Sequence, residues 1–370
     1  MSEKLSLGDV QRLLQDPSPE TRAEMAGKIA GQFGAQGLTP SERVLAEDIV
    51  RIMAKDVALR VRAALSDSLK ANPNIPHDVA ISLAQDVEEI ALPFIEVSTV
   101  LTDADLIEIV KSGSAERQTA VARRPAVSEG VAEVLVEKGT EKAVAALMAN
   151  ERAEVTAKAM GRALDRFPTS AAVQTPLVNR SKLPVTVAER LVHIVSEKLR
   201  DQLVAKHELP VDLATDIVLQ SREKATYSLV GGAGEGELFA LVDQLRRGGR
   251  LTPSLLLRSL CLGDLPFFEA AMASMAQIPV SNARLLIHDA GRHGLKPLAE
   301  KAGLPQSLYP AMRVAIDIAH ETDFDGGDHD IERHRRRMLE RILTQVEELG
   351  GEDVNYLLTK LTDLQVHAAG

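Results

Sequence analysis

The chain has 370 residues, 45% of them apolar and 26% charged, with 43 basic against 53 acidic side chains and a net charge of −10. This is the composition of a folded chain, long enough for two ordinary domains or one extended repeat array. The acidic balance would repel a phosphate backbone, and with no Trp and only three Tyr there is little material for base stacking, so nucleic-acid binding is disfavoured.

Aromatic residues are scarce at 3%. Small aliphatic side chains let short helices approach closely, which suits stacked helices better than a β-sandwich. The single cysteine, Cys261, lies between two leucines and has no partner for an internal disulfide. No His or acid at a recognisable spacing activates it, so it reads as a buried, inert thiol. The first residues lack an apolar signal region, and no apolar run reaches 18 residues. A reducing, cytoplasmic setting is the expectation.

In chain order, residues 7–14 give the first helical pattern, ended by Asp16-Pro17. Ser18 as N-cap and Pro19 at the first helical position open a helix over 20–33. Gly34 and Gly37 break it, and helices over 41–54 and 58–70 come next. Pro93, inside the apolar run 90–97, should start or kink its helix.

From residue 75 a period becomes visible. An apolar marker precedes a Pro, Ser or Thr at Ile75, Leu101 and Val127, each 26 residues apart. Leu183 and Leu209 are again 26 apart, and Leu251, Ile278 and Leu304 come at intervals of 27 and 26. The residue after each marker either accepts a hydrogen bond from a free helix N–H or lacks an N–H itself. Apolar residues recur four and eight positions on, as in Val79 and Leu83 or Val131 and Leu135, and such spacing makes one stripe on a helix. A pair of short helices cannot bury such a stripe alone, so neighbouring pairs must stack.

The period lapses over 128–172, where helices at 141–150 and 153–167 are expected. It lapses again before Leu251, where Gly231-Gly232-Ala233-Gly234-Glu235-Gly236 is the most flexible stretch and the predicted boundary. The expected organisation is an N-terminal array (1–230), a C-terminal repeat lobe (231–320), and an acidic loop with two terminal helices (321–370). These last helices cover 330–349 and 352–364. Their stripe of Met338, Leu339, Ile342, Leu343, Val346 and Leu349 caps the array, with a homodimer through the same helices as the alternative.

Val61-Arg62-Ala63-Ala64-Leu65, Asn72-Pro73-Asn74-Ile75-Pro76 and Leu83-Ala84-Gln85-Asp86 resemble HEAT-like and leucine-rich-variant helical repeats. Segments 90–106, 117–125 and 251–305 are similar to the bacterial domain-of-unknown-function family 2336. The resemblance spans roughly residues 22–318 and implies an α-helical repeat fold in a cytosolic bacterial protein. It carries no established catalytic residues. The fold expected is an all-α, right-handed solenoid of short helical pairs, HEAT-like, with a period of about 26 residues and C-terminal capping helices.

Candidate chemistry is thin. The 231–236 run lacks the Gly-Lys-Ser/Thr ending of a phosphate loop, and Glu235 and Glu237 would repel phosphate. His288-Asp289 and His329-Asp330 are the dipeptides that a metal-dependent phosphohydrolase would use, with His193, His207, His320 and Asp317 as further candidates. Nothing in their spacing favours convergence. Asp323, Asp325, Asp328 and Asp330 lack the order of a calcium loop. Arg123-Arg124 and Arg246-Arg247 fall at helix ends, where cations complement free carbonyls. Arg333, Arg335, Arg336 and Arg337 exceed what pairing along one helix needs, and they are the candidate contact for an acidic partner.

The reading is a non-catalytic scaffold or adaptor for a protein partner, with no cofactor and no catalytic or metal-binding residues assigned. One alternative is a metal-dependent phosphohydrolase using His288 and Asp289. The other is a sensor holding a small anionic ligand between lobes near 231–236.

Overall fold

A computed structural model describes residues 11–12, 15–33, 39–207, 211–230, 234–261, 263–289, 293–321 and 341. The described residues are almost entirely helix and turn, with no strand beyond one isolated parallel bridge between Val127 and Ala153. The expected 330–349 and 352–364 helices, the acidic loop and Arg333, Arg335, Arg336 and Arg337 lie outside the described residues. The chain forms two compact units, Met1–Leu183 and Pro184–Gly370.

The first unit contains α1 (Pro19–Phe33), α2 (Pro40–Met53), α3 (Leu59–Leu69), α4 (His77–Ala84), α5 (Glu88–Val97) and α6 (Asp103–Ser112). It continues with α7 (Ala115–Ala122), α8 (Glu129–Lys138), α9 (Glu141–Ala149), α10 (Ala157–Arg166) and α11 (Ala171–Val178). Packing is serial. In one series α1, α3, α5, α7, α9 and α11 each pack on the next; in the other α6 packs on α8 and α8 on α10. Between the series lie fully buried side chains such as Leu65, Leu83, Phe94, Val121, Leu135 and Leu147. Leu83 and Leu135 stand eight residues after the markers Ile75 and Val127, and the others are their counterparts in the alternate helices.

The starts of these helices are set by their caps. Thr39 and Thr102 form capping boxes with Glu42 and Asp105, and Ser114, Ser128, Thr140, Thr156 and Ser170 each accept a backbone N–H three residues on. Ser18 accepts the Thr21 N–H at 3.3 Å, as its place before Pro19 predicts. The helix expected from 153 starts four residues later, because Thr156 caps it. Pro93 does not open its helix. It sits in the interior of α5, and Pro176 does the same in α11.

The second unit contains α12 (Val185–His207), α13 (Val211–Val230), α14 (Glu235–Arg247), α15 (Pro253–Cys261) and α16 (Leu265–Ala276). After these come α17 (Val280–Ile287), α18 (Leu295–Lys301), a 3-10 turn (Gln306–Leu308) and α19 (Tyr309–Glu321). Helix α16 is the centre, packed on α14, α15, α17 and α18, with Phe267, Phe268, Ala271 and Met272 fully buried. A helix apolar nearly all round must be enclosed. Asp264 caps its start by accepting the Phe267 N–H at 3.0 Å, and Gln277 ends it in the left-handed conformation at φ 53°.

The unit division falls at Leu183/Pro184, whereas the sequence places its boundary in the Gly-rich run, which here joins α13 to α14 inside the second unit. The reason is side-chain bonding across that run. Gln244 of α14 donates to the Thr186 carbonyl at 2.9 Å, and Arg250 pairs with Glu189 at 2.6 Å, so α12 is tied to α14 and to the start of α15.

Candidate functional site

Buried ionisable groups concentrate in the second unit, where α12, α13, α14 and the start of α15 meet. Glu189, His193, Glu197 and Arg200 stand at i, i+4, i+8 and i+11 of α12, one stripe of the helix. Glu189 is fully buried, with Oε1 at 2.6 Å from the Arg250 guanidinium and Oε2 accepting from the Gln244 amide at 2.7 Å. A buried carboxylate survives only when both oxygens are satisfied in this way.

One turn on, His193 Nδ1 lies 3.3 Å from Arg222 Nη1, which is itself 3.4 Å from Glu197 Oε1. His193 Nδ1 and Glu197 Oε1 are 4.0 Å apart, closing a triangle, and Arg200 holds the other Glu197 oxygen at 2.6 Å. Burial, then the Arg250 and Arg222 charges, push the His193 imidazole below its ordinary value. Beside it, Glu223 accepts hydroxyl hydrogens from Thr252 at 2.6 Å and Ser254 at 3.0 Å, at the N-terminus of α15. Arg258 is buried 3.9 Å from Glu223, and among the described residues its Nε and one Nη have no hydrogen-bond acceptor.

The arrangement gathers charge of both signs in one network. Among the described residues no group of three or more His, Cys, Asp and Glu is placed to hold a metal ion. His288 closes the C-terminus of α17 and meets the buried Glu269 at 2.6 Å, together with Arg284 at 2.6 Å. Asp289 accepts the backbone N–H groups of His293 and Gly294 at 3.0 and 3.1 Å. His193 stands on α12 in the network above.

Other sequence candidates have local roles. Gly234 precedes α14, whose first turn carries Glu235 and Glu237; residues 231–233 lie outside the described residues. Arg246 and Arg247 both pair with Asp243 on their own helix. A pocket of about 130 Å³ between α18 and α19 is lined by Lys296, Glu300, Gln306 and Tyr309, small beside the roughly 300–1,000 Å³ of ligand sites.

In the first unit, Arg124 corrects the sequence reading. Its guanidinium does not complement its own helix. It forks onto the carbonyls of Ile95 and Ser98 (2.7 Å to the latter) at the end of α5, one helix pair earlier. The Asn150 amide donates to the carbonyls of Ala122 and Arg124 at 2.9 and 2.8 Å, closing α7. Arg180 reaches the carbonyls of Met148, Asn150 and Ala153 at 2.9, 3.1 and 3.3 Å, closing α9. Arg180, Asn150, Arg124 and Ser98 therefore form one polar spine through successive helix ends. Arg117 on the Gln85 and Asp86 carbonyls and Arg166 on those of Val136 and Gly139 repeat the device for α4 and α8. Sequence reasoning missed the spine; its signal was the 26-residue spacing of Ser98, Arg124 and Asn150.

Apolar side chains also stay uncovered. On α2, Val44, Leu45 and Ile52 are 59, 62 and 73% exposed and share one face, with Val57 and Leu59 exposed just beyond.

A family model described as an uncharacterised protein conserved in bacteria (DUF2336) matches residues 90–350. The chain belongs to this family. The family stretch begins in α5 and takes in the charged network of the second unit, while α1 to α4 precede it. No curated protein and no solved structure matches the chain. No helix among the described residues is long and apolar enough to cross a membrane.

Proposed function

We propose that this family member is a non-catalytic scaffold: its first unit is a short helical solenoid that presents an apolar helix face to a protein partner. The observation that carries the reading is the serial packing of α1 to α11, in which each helix leans on its neighbours in the array. Arrays of this kind expose long surfaces in proportion to the core they bury. The uncovered Val44, Leu45 and Ile52 on α2 supply the apolar contact that such a surface needs. Arg333, Arg335, Arg336 and Arg337 add a cationic contact for an acidic segment of the partner.

The test uses the full chain and its L45D/I52D double variant as baits in the native host. Both side chains are exposed, so the double variant keeps its melting temperature. A partner recovered by the parent chain and lost by the variant supports the scaffold. Equal recovery by both places binding elsewhere and removes α2 from the account.

A further inference from the structure

His193, Arg222 and Glu197 compete for one another in the charged network. An arginine N–H cannot accept a hydrogen bond, so the 3.3 Å contact between Arg222 Nη1 and His193 Nδ1 requires a neutral imidazole with its lone pair on Nδ1. Adding a proton there turns the acceptor into a donor facing a guanidinium. The nearest acceptor for the new N–H is Glu197 Oε1 at 4.0 Å, which Arg222 already touches at 3.4 Å.

We propose that the triangle is a proton-driven exchange: protonated His193 takes Glu197 from Arg222, and the freed Arg222 loosens α13 from α12. Among the described residues, the charged groups acting on His193 are Glu189 and Glu197 on its own helix, Arg222 on α13 and Arg250 from the segment before α15; α14 brings the uncharged Gln244 to Glu189. Glu189 is committed to Arg250 and Gln244, so Glu197 is the carboxylate that can change partner. Helix α13 packs on α12 and α15, and Arg222 reaches α12 through both His193 and Glu197. The exchange therefore acts on the α12–α13 pair and leaves the apolar core around α16 intact.

Linkage gives the sign. A histidine that stays neutral more readily in the folded chain than in the unfolded one contributes stability above about pH 6.5, and that stability is lost as pH falls toward the folded-state value. Each unit of depression amounts to about a tenfold loss in the folding equilibrium constant once pH lies below both values.

The experiment measures denaturant unfolding of the full chain at steps from about pH 7.5 to 5. The parent is compared with His193→Gln, which keeps an acceptor for Arg222 and does not titrate, and with Glu197→Gln, which removes the carboxylate that protonated His193 would take. The parent is expected to lose more of its equilibrium constant than His193→Gln, and Glu197→Gln to lose more than the parent. On the parent, the protection factors of the α13 amides (exchange rates relative to the intrinsic rate at each pH) should fall at the lower pH while those of α16 hold, a readout that stands even if a variant does not fold. Parallel loss in the parent and His193→Gln, or unchanged protection factors in α13, overturns the proposal.

Discussion

At the scale of single residues, arginine is used as a fork that closes other helices. The last carbonyls of a helix have no intrahelical donor, and in a run of helices 8 to 10 residues long such ends are frequent. A guanidinium offers five N–H groups in a rigid planar fork that can close two carbonyls in fixed directions, a geometry that lysine's single ammonium does not reproduce. Arg124, buried between Ile95, Ser98 and the Asn150 amide, is the position where this matters most. Arg124→Ala should cost about 1.5–3 kcal/mol by leaving buried carbonyls without donors, and Arg124→Lys should recover only part of it, read by denaturant midpoints. Partly buried ion pairs are tuned differently. The Arg22 hydrogen bonds hold Asp56 below its usual range, while burial would raise Asp86 and the Arg62 and Val87 N–H groups more than offset it. Both carboxylates therefore contribute stability that is present above about pH 4 and lost as pH falls through their folded values. Asp56→Asn should flatten the acid limb of a stability–pH profile and leave the neutral region nearly parallel to the parent.

At the scale of elements, the helix starts were legible because capping is local chemistry. Thr102, Ser128 and the prolines at 76, 184, 279 and 305 sit where a free N–H must be accepted or absent, and the helices open directly after them. The helix ends were not legible in the same way. Their partners come from a later helix pair, as Arg124 and Arg180 show, and no local pattern announces a bond to a residue about 26 to 32 positions away. One local signal did exist. Gly113-Ser114 and Gly139-Thr140 are two-residue connections in which a glycine ends one helix and the next residue caps another. A Cβ on Gly113 would lie 2.4 Å from the Ile109 carbonyl oxygen, and one on Gly139 equally close to that of Leu135. Gly113→Ala and Gly139→Ala should each lower the melting temperature by several degrees, since backbone must shift to admit the methyl group, at about 1–3 kcal/mol. Gly130→Ala, with open space around it, should raise the melting temperature slightly, as a helical Gly→Ala change does. Equal effects at 113 and 130 would contradict this assignment.

At the scale of the molecule, the two units divide their polar groups unevenly. The first spends them on clamps between helix ends, and the second gathers Glu189, Glu223, Arg258 and Glu269 in its interior. The all-helical class was legible in composition and period. The charged network was not, because Glu189, His193 and Glu197 read as an ordinary helix face until Arg222 and Arg250, which come 25 or more residues later, are brought against it. Nor could sequence show that Val44, Leu45 and Ile52 stay uncovered, since an apolar stripe on a helix is ordinarily core. The measurement that tests the scaffold most directly is photo-crosslinking in the native host. A photoreactive residue replaces Ile52 in the full chain, with one at the exposed Gln85 as control. The account predicts a discrete adduct with another polypeptide at Ile52 and none at Gln85. No adduct at Ile52, or the same adducts at both positions, would contradict it.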